Sequence, residues 1–318
     1  MIEMMIKLKL RFLCTLAAAF AVFGSVEAQP FEGGGPPEII LHPPNRSTGF
    51  APTAGSNNKI NPTISYHGGP VIGAPNVYVI WYGAWTDNQK LIITDFLNSI
   101  GGSPYFNINK TYSISSTPIN GLVAYSGAAV STYIPAGGPT AVLSDQDIQN
   151  IVSSSGLPPD ANGVYFVLTG SDTRKDGFCT SYCGWHTHAI LGGADIKYSF
   201  VGNPTACPLA GASVGNCAAQ TARSPNGDVG VDAMVSVIAH ELEEATTDPD
   251  LNAWWNTRNG AENADTCAWT FGSQYIANGA YANMHLGARD FLIQRNLVRV
   301  SGANYCVKGL NPNGTLVK

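Results

Sequence analysis

Val235-Ser236-Val237-Ile238-Ala239-His240-Glu241-Leu242-Glu243-Glu244-Ala245-Thr246-Thr247-Asp248-Pro249 is an apolar run that ends in a histidine and three carboxylates within five residues. Together with Val231 just upstream, Val235, Ile238, Leu242 and Ala245 recur at intervals of three and four, the period of one helix face. The stretch therefore predicts a helix packed on a core. Asp248-Pro249 marks its end, because a proline disfavours the helical conformation in the residue before it.

On that helix His240 and Glu244 are four residues apart and share a face. Glu241 lies about 100° further round. The pattern is that of the H-E-x-x-H zinc enzymes with Glu in the second ligand position, since imidazole nitrogen and carboxylate oxygen both bind zinc at about 2.0–2.2 Å. Glu241 would then be the general base acting on the attacking water. H-E-x-x-E is less specific than H-E-x-x-H, because glutamate is common on helix surfaces. The competing reading is a helix end whose carboxylates are solvated.

The first 28 residues read as a leader. Lys7, Lys9 and Arg11 precede an apolar run from Phe12 to Val26, and Val26-Glu27-Ala28 places small residues where a signal peptidase cuts. The run is short of the roughly 20 residues that a membrane span needs, and no later stretch reaches that length. A soluble, secreted chain is expected, with no membrane partner after cleavage. Removing the leader takes away three basic and two acidic residues and moves the net charge from −5 to −6. A mildly acidic chain without a basic patch is a poor partner for nucleic acid.

Six cysteines remain beyond the leader: Cys179, Cys183, Cys207, Cys217, Cys267 and Cys306. An even count in a secreted chain predicts three disulfides. The sequential pairing, Cys179–Cys183, Cys207–Cys217 and Cys267–Cys306, is expected because its first two members close short loops; a zinc knuckle at Cys179 and Cys183 is the alternative. Asn45, Asn109 and Asn313 stand in N-glycosylation sequons.

Residues 29–62 are rich in Pro, Gly, Ser and Asn and read as a flexible lead-in. A single domain over 63–318 is expected, with no second linker. Asn76 to Gly83 and Gly163 to Gly170 are β-branched and aromatic and read as core strands. Asn88–Ile100 and Ser144–Val152 read as amphipathic helices, the second capped by Ser144. Ala189–Leu191 and Ile196–Val201 read as an edge pair around Gly192-Gly193. Asp228 or Asp232 caps the histidine-bearing helix, and Ala288 to Val300 forms one more amphipathic segment. The fold class is α/β (α+β): a mixed sheet with packed helices, one of them a zincin-like active-site helix, stapled by disulfides.

A catalytic zinc takes three protein ligands. Glu262, with Asp265 three residues on to orient His240, is the preferred source of the third. Asp250, ten residues past His240, is a second option. His186 or His188 is a third, since the two alternate in Trp185-His186-Thr187-His188 and share a strand face. The favoured site is therefore zinc on His240, Glu244 and Glu262 with Glu241 as base. His186 and His188 also serve as candidates for substrate or oxyanion support, as do Tyr275 and His285. The sequence carries no G-x-S-x-G, P-loop or dinucleotide-binding glycine pattern.

The segments His67-Gly68-Gly69-Pro70-Val71, Val77–Tyr82, Val164–Thr169, Phe178-Cys179 through Cys183-Gly184-Trp185-His186, and Pro225–Met234 resemble the EXORDIUM, or phosphate-induced protein 1, family over about residues 60–306. The resemblance implies a secreted, cell-wall-associated protein linked to growth, here a member with an intact metalloprotease-like H-E-x-x-E motif. Two functions follow. The first is a secreted zinc-dependent metallopeptidase acting on peptides or extracellular proteins. The second is a non-catalytic extracellular protein with a vestigial metal site that binds cell-wall glycans through Trp254, Trp255 or other exposed aromatics, or regulates growth.

Overall fold

The computed structural model describes residues 52–60, 64–112, 114, 119–300 and 302–318; the leader expected at 1–28 and the sequon at Asn45 lie outside them. The centre of the fold is a five-stranded sheet. After a two-residue strand, β1 (Ser65–Tyr66), come β2 (Asn76–Tyr82), helix α1 (Asp87–Ile100), β3 (Ala124–Val130), helix α2 (Asp145–Ser153), β4 (Gly163–Thr169), β5 (Gly184–Leu191) and β6 (Ala194–Gly202). The spatial order is β3-β2-β4-β6-β5. All neighbours pair in parallel except β5, which runs antiparallel to β6 at one edge. All seven residues of β4 are buried, as expected for a central parallel strand covered on both faces.

The predicted strands and helices form where the sequence placed them. Thr86 and Gln89 make a reciprocal capping box at the start of α1, and Ser144 and Asp147 do the same for α2. The apolar face of α1 buries Ile92, Ile93, Phe96, Leu97 and Ile100, with Phe96 edge-on to Phe291 at 5.6 Å between ring centres. The edge pair is longer than predicted: β5 begins at Gly184 and so takes in both His186 and His188. β3 was not predicted. Apart from Tyr125 and Val130 its residues are small, and none is fully buried, so it carries little apolar signal.

Helix α3 (Val229–Thr247) crosses β4, β5 and β6 and packs against α1. Asp228 caps it by accepting from the Val231 amide. Its expected stripe is buried, with Val231, Val235, Ile238, Leu242 and Ala245 at 0–1% exposure. The opposite face is buried too, because the C-terminal part of the chain folds over it. That part contributes β7 (Trp254–Trp255), which pairs with β1, and a series of two-stranded ribbons. The amphipathic segment expected at 288–300 is two short strands, Arg289–Phe291 and Asn296–Val300, in different ribbons. At its C-terminus α3 stops at Asp248, whose carboxylate accepts from the Asn252 and Ala253 amides at 2.6 and 2.5 Å.

Of the Pro/Gly-rich lead-in, residues 52–60 are held against the domain. Thr53 and Ala54 carbonyls accept from the Phe271 and Gly272 amides, and Ile60 bridges to Asn304. Arg295, which is 1% exposed, donates to the Ser56 carbonyl, the Asn57 side chain and the Cys306 carbonyl. It ties the lead-in to the C-terminal ribbons.

Three disulfides are present, but two differ from the sequential pairing. The bonds are Cys179–Cys207, Cys183–Cys217 and Cys267–Cys306. The reason is local. Residues 177–182 form a tight turn closed by its own main chain, with Ser181 N donating to Gly177 O and Cys179 N to Tyr182 O. Cys179 in this turn and Cys183 just after it both bond to the 204–217 segment instead of to each other, and this also removes them as a zinc knuckle. Cys183→Ser with Cys217→Ser opens a link across 34 residues. Loss of such a link is expected to cost about 2–5 kcal/mol, read as a lowered urea midpoint. The sequon at Asn109 is 0% exposed, within a 3₁₀ turn, whereas Asn313 sits in an exposed turn.

Candidate metal centre

Helix α3, strand β5 and the loop after β7 bring six ionisable side chains together. His240, Glu241 and Glu244 come from the helix, His186 from the strand, and Glu262 and Asp265 from the loop. The first five are 0–2% exposed. His240 Nε2 lies 2.9 Å from Glu244 Oε1 and 3.4 Å from Asp265 Oδ1. His186 Nδ1 is 3.8 Å from Glu241 Oε2 and 3.9 Å from Glu244 Oε2, and its Nε2 is 3.7 Å from Glu262 Oε2. Glu244 thus joins two potential metal-holding groups, one with His240 and Glu241, the other with His186 and Glu262.

The loop is braced into place by its own main chain. The Glu262 amide donates to Asp265 Oδ2 at 2.9 Å, and the Asp265 amide donates to Glu244 Oε1 at 3.2 Å. Asp265 therefore meets His240 on the nitrogen that also faces Glu244, as one more carboxylate of the cluster. Glu243 points elsewhere: its Oε2 accepts from Asn296 Nδ2 at 2.6 Å. The helix end is not a set of solvated carboxylates: Glu241, Glu243 and Glu244 are all 0–2% exposed.

This burial sets the charges. Burial and the nearby Asp265 carboxylate push Glu244 up to about 7, against the pull of His240. Glu262 is raised well above the usual carboxylate range by burial, then by Glu244, Asp248, Asp265 and Glu241. Burial alone would lower His240, but Glu244, Asp265 and Glu241 outweigh it and raise it well above its ordinary value. His186 is lowered to about 3, first by burial and then by His240 and His188. Both Glu262 carboxylate oxygens and both His186 ring nitrogens lack a hydrogen-bond partner. Buried polar atoms in that state call for an explanation, and a cation is one that suits oxygen and imidazole donors alike. The residues fit a divalent metal such as zinc.

A pH dependence follows for the metal-free protein. An acid raised on folding stabilises most below its unfolded value and loses that contribution as pH rises through its folded value. Glu244, at about 7, and Asp248, raised by burial to about 6, lose theirs between about pH 4 and 7. His186 acts in the opposite sense, gaining between about pH 3 and 6.5. The raised carboxylates of Glu243, Glu244, Asp248 and Glu262 outnumber it. In chelator, Tm is expected to fall from pH 5 to pH 8. Added zinc is expected to shift Tm more at pH 8 than at pH 5, because metal ligation needs the deprotonated carboxylates.

The other candidates lie apart from this cluster. His188 Nδ1 pairs with Asp195 Oδ1 at 2.9 Å and approaches Asp250 Oδ1 at 3.8 Å, and Lys197 Nζ neutralises both acids at 2.9 and 3.2 Å. Asp250 is thereby engaged with a lysine. Tyr275 Oη and His285 Nδ1 both bond Asp290 Oδ1, at 2.7 and 2.9 Å. The two tryptophans considered for glycans are packed: Arg299 stacks on Trp254 at 4.1 Å, and His67 stacks on Trp255 at 3.8 Å. Gly184 is the contributor that pattern reading missed. A Cβ there would come within 2.6 Å of Val237 Cγ1 and 3.0 Å of Glu241 Oε1. Its lack of a side chain lets β5 lie directly on α3, which a single glycine in the sequence does not announce.

Comparison with known proteins bears on the whole domain. The family pattern described as the phosphate-induced protein 1 conserved region matches residues 64–313. Protein EXORDIUM-like 5 of Arabidopsis thaliana is 33% identical over 291 residues, covering 79% of this chain and 80% of its own. Protein EXORDIUM-like 3 of the same plant is 33% identical over 287 residues, covering 80% and 79%. Protein PHOSPHATE-INDUCED 1 of Nicotiana tabacum is 29% identical over 281 residues, covering 79% and 82%. No solved structure matches. A match across nearly all of the described domain, with two relatives at 33%, makes this chain a member of the phosphate-induced protein 1, or EXORDIUM-like, family.

Proposed function

We propose that this protein is a secreted, zinc-dependent, metallopeptidase-like member of its family, acting on peptides or extracellular proteins at or near the cell wall. The observation that carries the reading is that Glu244 stands between two groups of metal-capable side chains, one with His240 and Glu241 and the other with His186 and Glu262, with Glu262 buried and without a hydrogen-bond partner on either oxygen. His240, Glu244 and Glu262 would hold the metal. Zinc bound there would supply Lewis acidity toward a substrate carbonyl. Glu241 would take a proton and pass it to the leaving amine. Asp265 fixes the Glu262 loop through the Glu262 amide and faces His240. Three disulfides agree with an extracellular setting.

A second reading has its own support. All three ligands and Glu241 are 0–2% exposed, and such closure suits a metal that stabilises the fold without turning over substrate. In that case the protein is a non-catalytic extracellular protein with a structural metal, and any glycan contact uses a surface other than the packed faces of Trp254 and Trp255. Elemental analysis of protein purified without chelator tests both readings at once. One zinc per chain is expected. A well-folded chain that holds no zinc and takes none up on dialysis removes the metal from either reading.

A further inference from the structure

We propose that the cluster has two divalent-cation positions joined by Glu244, one against His240 beside Glu241 and the other against His186 and Glu262. This rests on the metal reading above and not on peptidase activity. The two groups of donors have Glu244 in common and no other residue. Glu244 Oε1 lies 2.9 Å from His240 Nε2, and Oε2 lies 3.9 Å from His186 Nδ1. Each oxygen of the one carboxylate thus faces a different imidazole. A carboxylate so placed can bridge a pair of ions about 3.5–4 Å apart, the spacing of two-metal sites. The zinc holders named above then fall on both sides of it, His240 on one and Glu262 on the other. The zinc expected on purification fills one position, and added metal fills the second.

Unpartnered donors mark the second position. His186 is 1% exposed and Glu262 0%, and neither ring nitrogen nor either carboxylate oxygen has a hydrogen-bond partner. His186 Nε2 lies 3.7 Å from Glu262 Oε2. Two donors bound at 2.0–2.2 Å to one tetrahedral ion stand about 3.3–3.6 Å apart, so this pair is within a few tenths of an ångström of ligand spacing. An ion held at His240 alone would leave these donors buried and unsatisfied. Charge points the same way. The side chains of Glu241, Glu244, Glu262 and Asp265 are at most 8% exposed. Among the described residues no lysine or arginine is ion-paired with Glu244, Glu262 or Asp265. With both imidazoles neutral, one divalent ion leaves two of the four carboxylate charges buried and uncompensated, whereas a pair of ions balances all four.

Full-length protein freed of metal by chelator and titrated with cobalt(II) chloride provides the test. In the wild type, two cobalt ions per chain are expected to survive gel filtration. The cobalt signal in electron paramagnetic resonance is expected to grow with the first equivalent and to shrink with the second, because ions joined by one carboxylate couple magnetically. His186→Ala is expected to hold one cobalt per chain, with no loss of signal on further addition. Wild-type protein that saturates at one ion overturns the proposal and leaves the metal reading intact. So does wild-type protein that holds a second ion without loss of signal, since that ion lies elsewhere, as does a coupled pair that persists in His186→Ala. Wild-type protein that takes up no cobalt overturns both. The coupling is read on the wild type, so it decides the matter even where His186→Ala does not fold.

Discussion

Glu262→Gln is expected to have two effects of opposite sign. It removes a carboxylate that is 0% exposed, held well above its usual range and without a hydrogen-bond partner on either oxygen. In chelator at pH 8, where ionising that group is most costly, the variant should unfold at higher temperature than the wild type. In excess zinc the order should reverse. A ligand present at about 100 times its Kd adds about 2.7 kcal/mol. For a domain of this size that is roughly 5–10 °C in Tm, since 1 kcal/mol moves Tm by about 2–4 °C. The variant should lose most of this shift. His240→Ala should lose the zinc shift as well but gain nothing in chelator, because it strands Glu244, whose Oε1 is 2.9 Å from the ring. Scanning calorimetry of the three proteins, with and without zinc, reads every arm. A zinc shift in Glu262→Gln equal to that of the wild type would show that Glu262 is not a ligand.

Glu241→Gln should separate chemistry from binding. The side chain keeps its shape but can no longer accept a proton. Loss of a general base typically costs 10²–10⁴-fold in rate. Casein cleavage by the zinc-loaded protein is expected to fall by that factor while zinc content and the zinc-induced Tm shift stay near wild-type values. An unchanged cleavage rate would remove Glu241 from the proton-transfer role. Absence of cleavage by wild-type protein with one zinc per chain would favour the structural-metal reading. Lids that open on microsecond to millisecond timescales often set the rate of closed sites, so the assay is best run to low turnover.

Much of the framework was legible from residue types. The β-branched and aromatic run at Asn76–Tyr82, the Ser144 cap of α2, and the stop at Asp248-Pro249 each state their role locally, and each is found. Two features could be misread for the same reason in opposite directions. The disulfides at Cys179 and Cys183 looked local because spacing is visible and turn geometry is not. β3 looked like nothing because small residues at a sheet edge carry no pattern, though the neighbouring β2 dictates the strand.

The sequence by itself determined that α3 exists, that His240 and Glu244 share one of its faces, and that Glu241 stands beside them, because helix geometry depends only on spacing. It also supplied Glu262 and Asp265 as candidates, 18 and 21 residues beyond Glu244. Only the tertiary structure decided that these groups meet, that His186 rather than His188 joins them, and that the whole cluster is sealed from water. Those outcomes depend on how β5 lies on α3 across Gly184 and on how the loop after β7 closes through the Glu262 and Asp265 amides. Burial also fixes the protonation of the cluster, since the same carboxylates in water would be ordinary acids, whereas packed together they favour either protons or a metal ion.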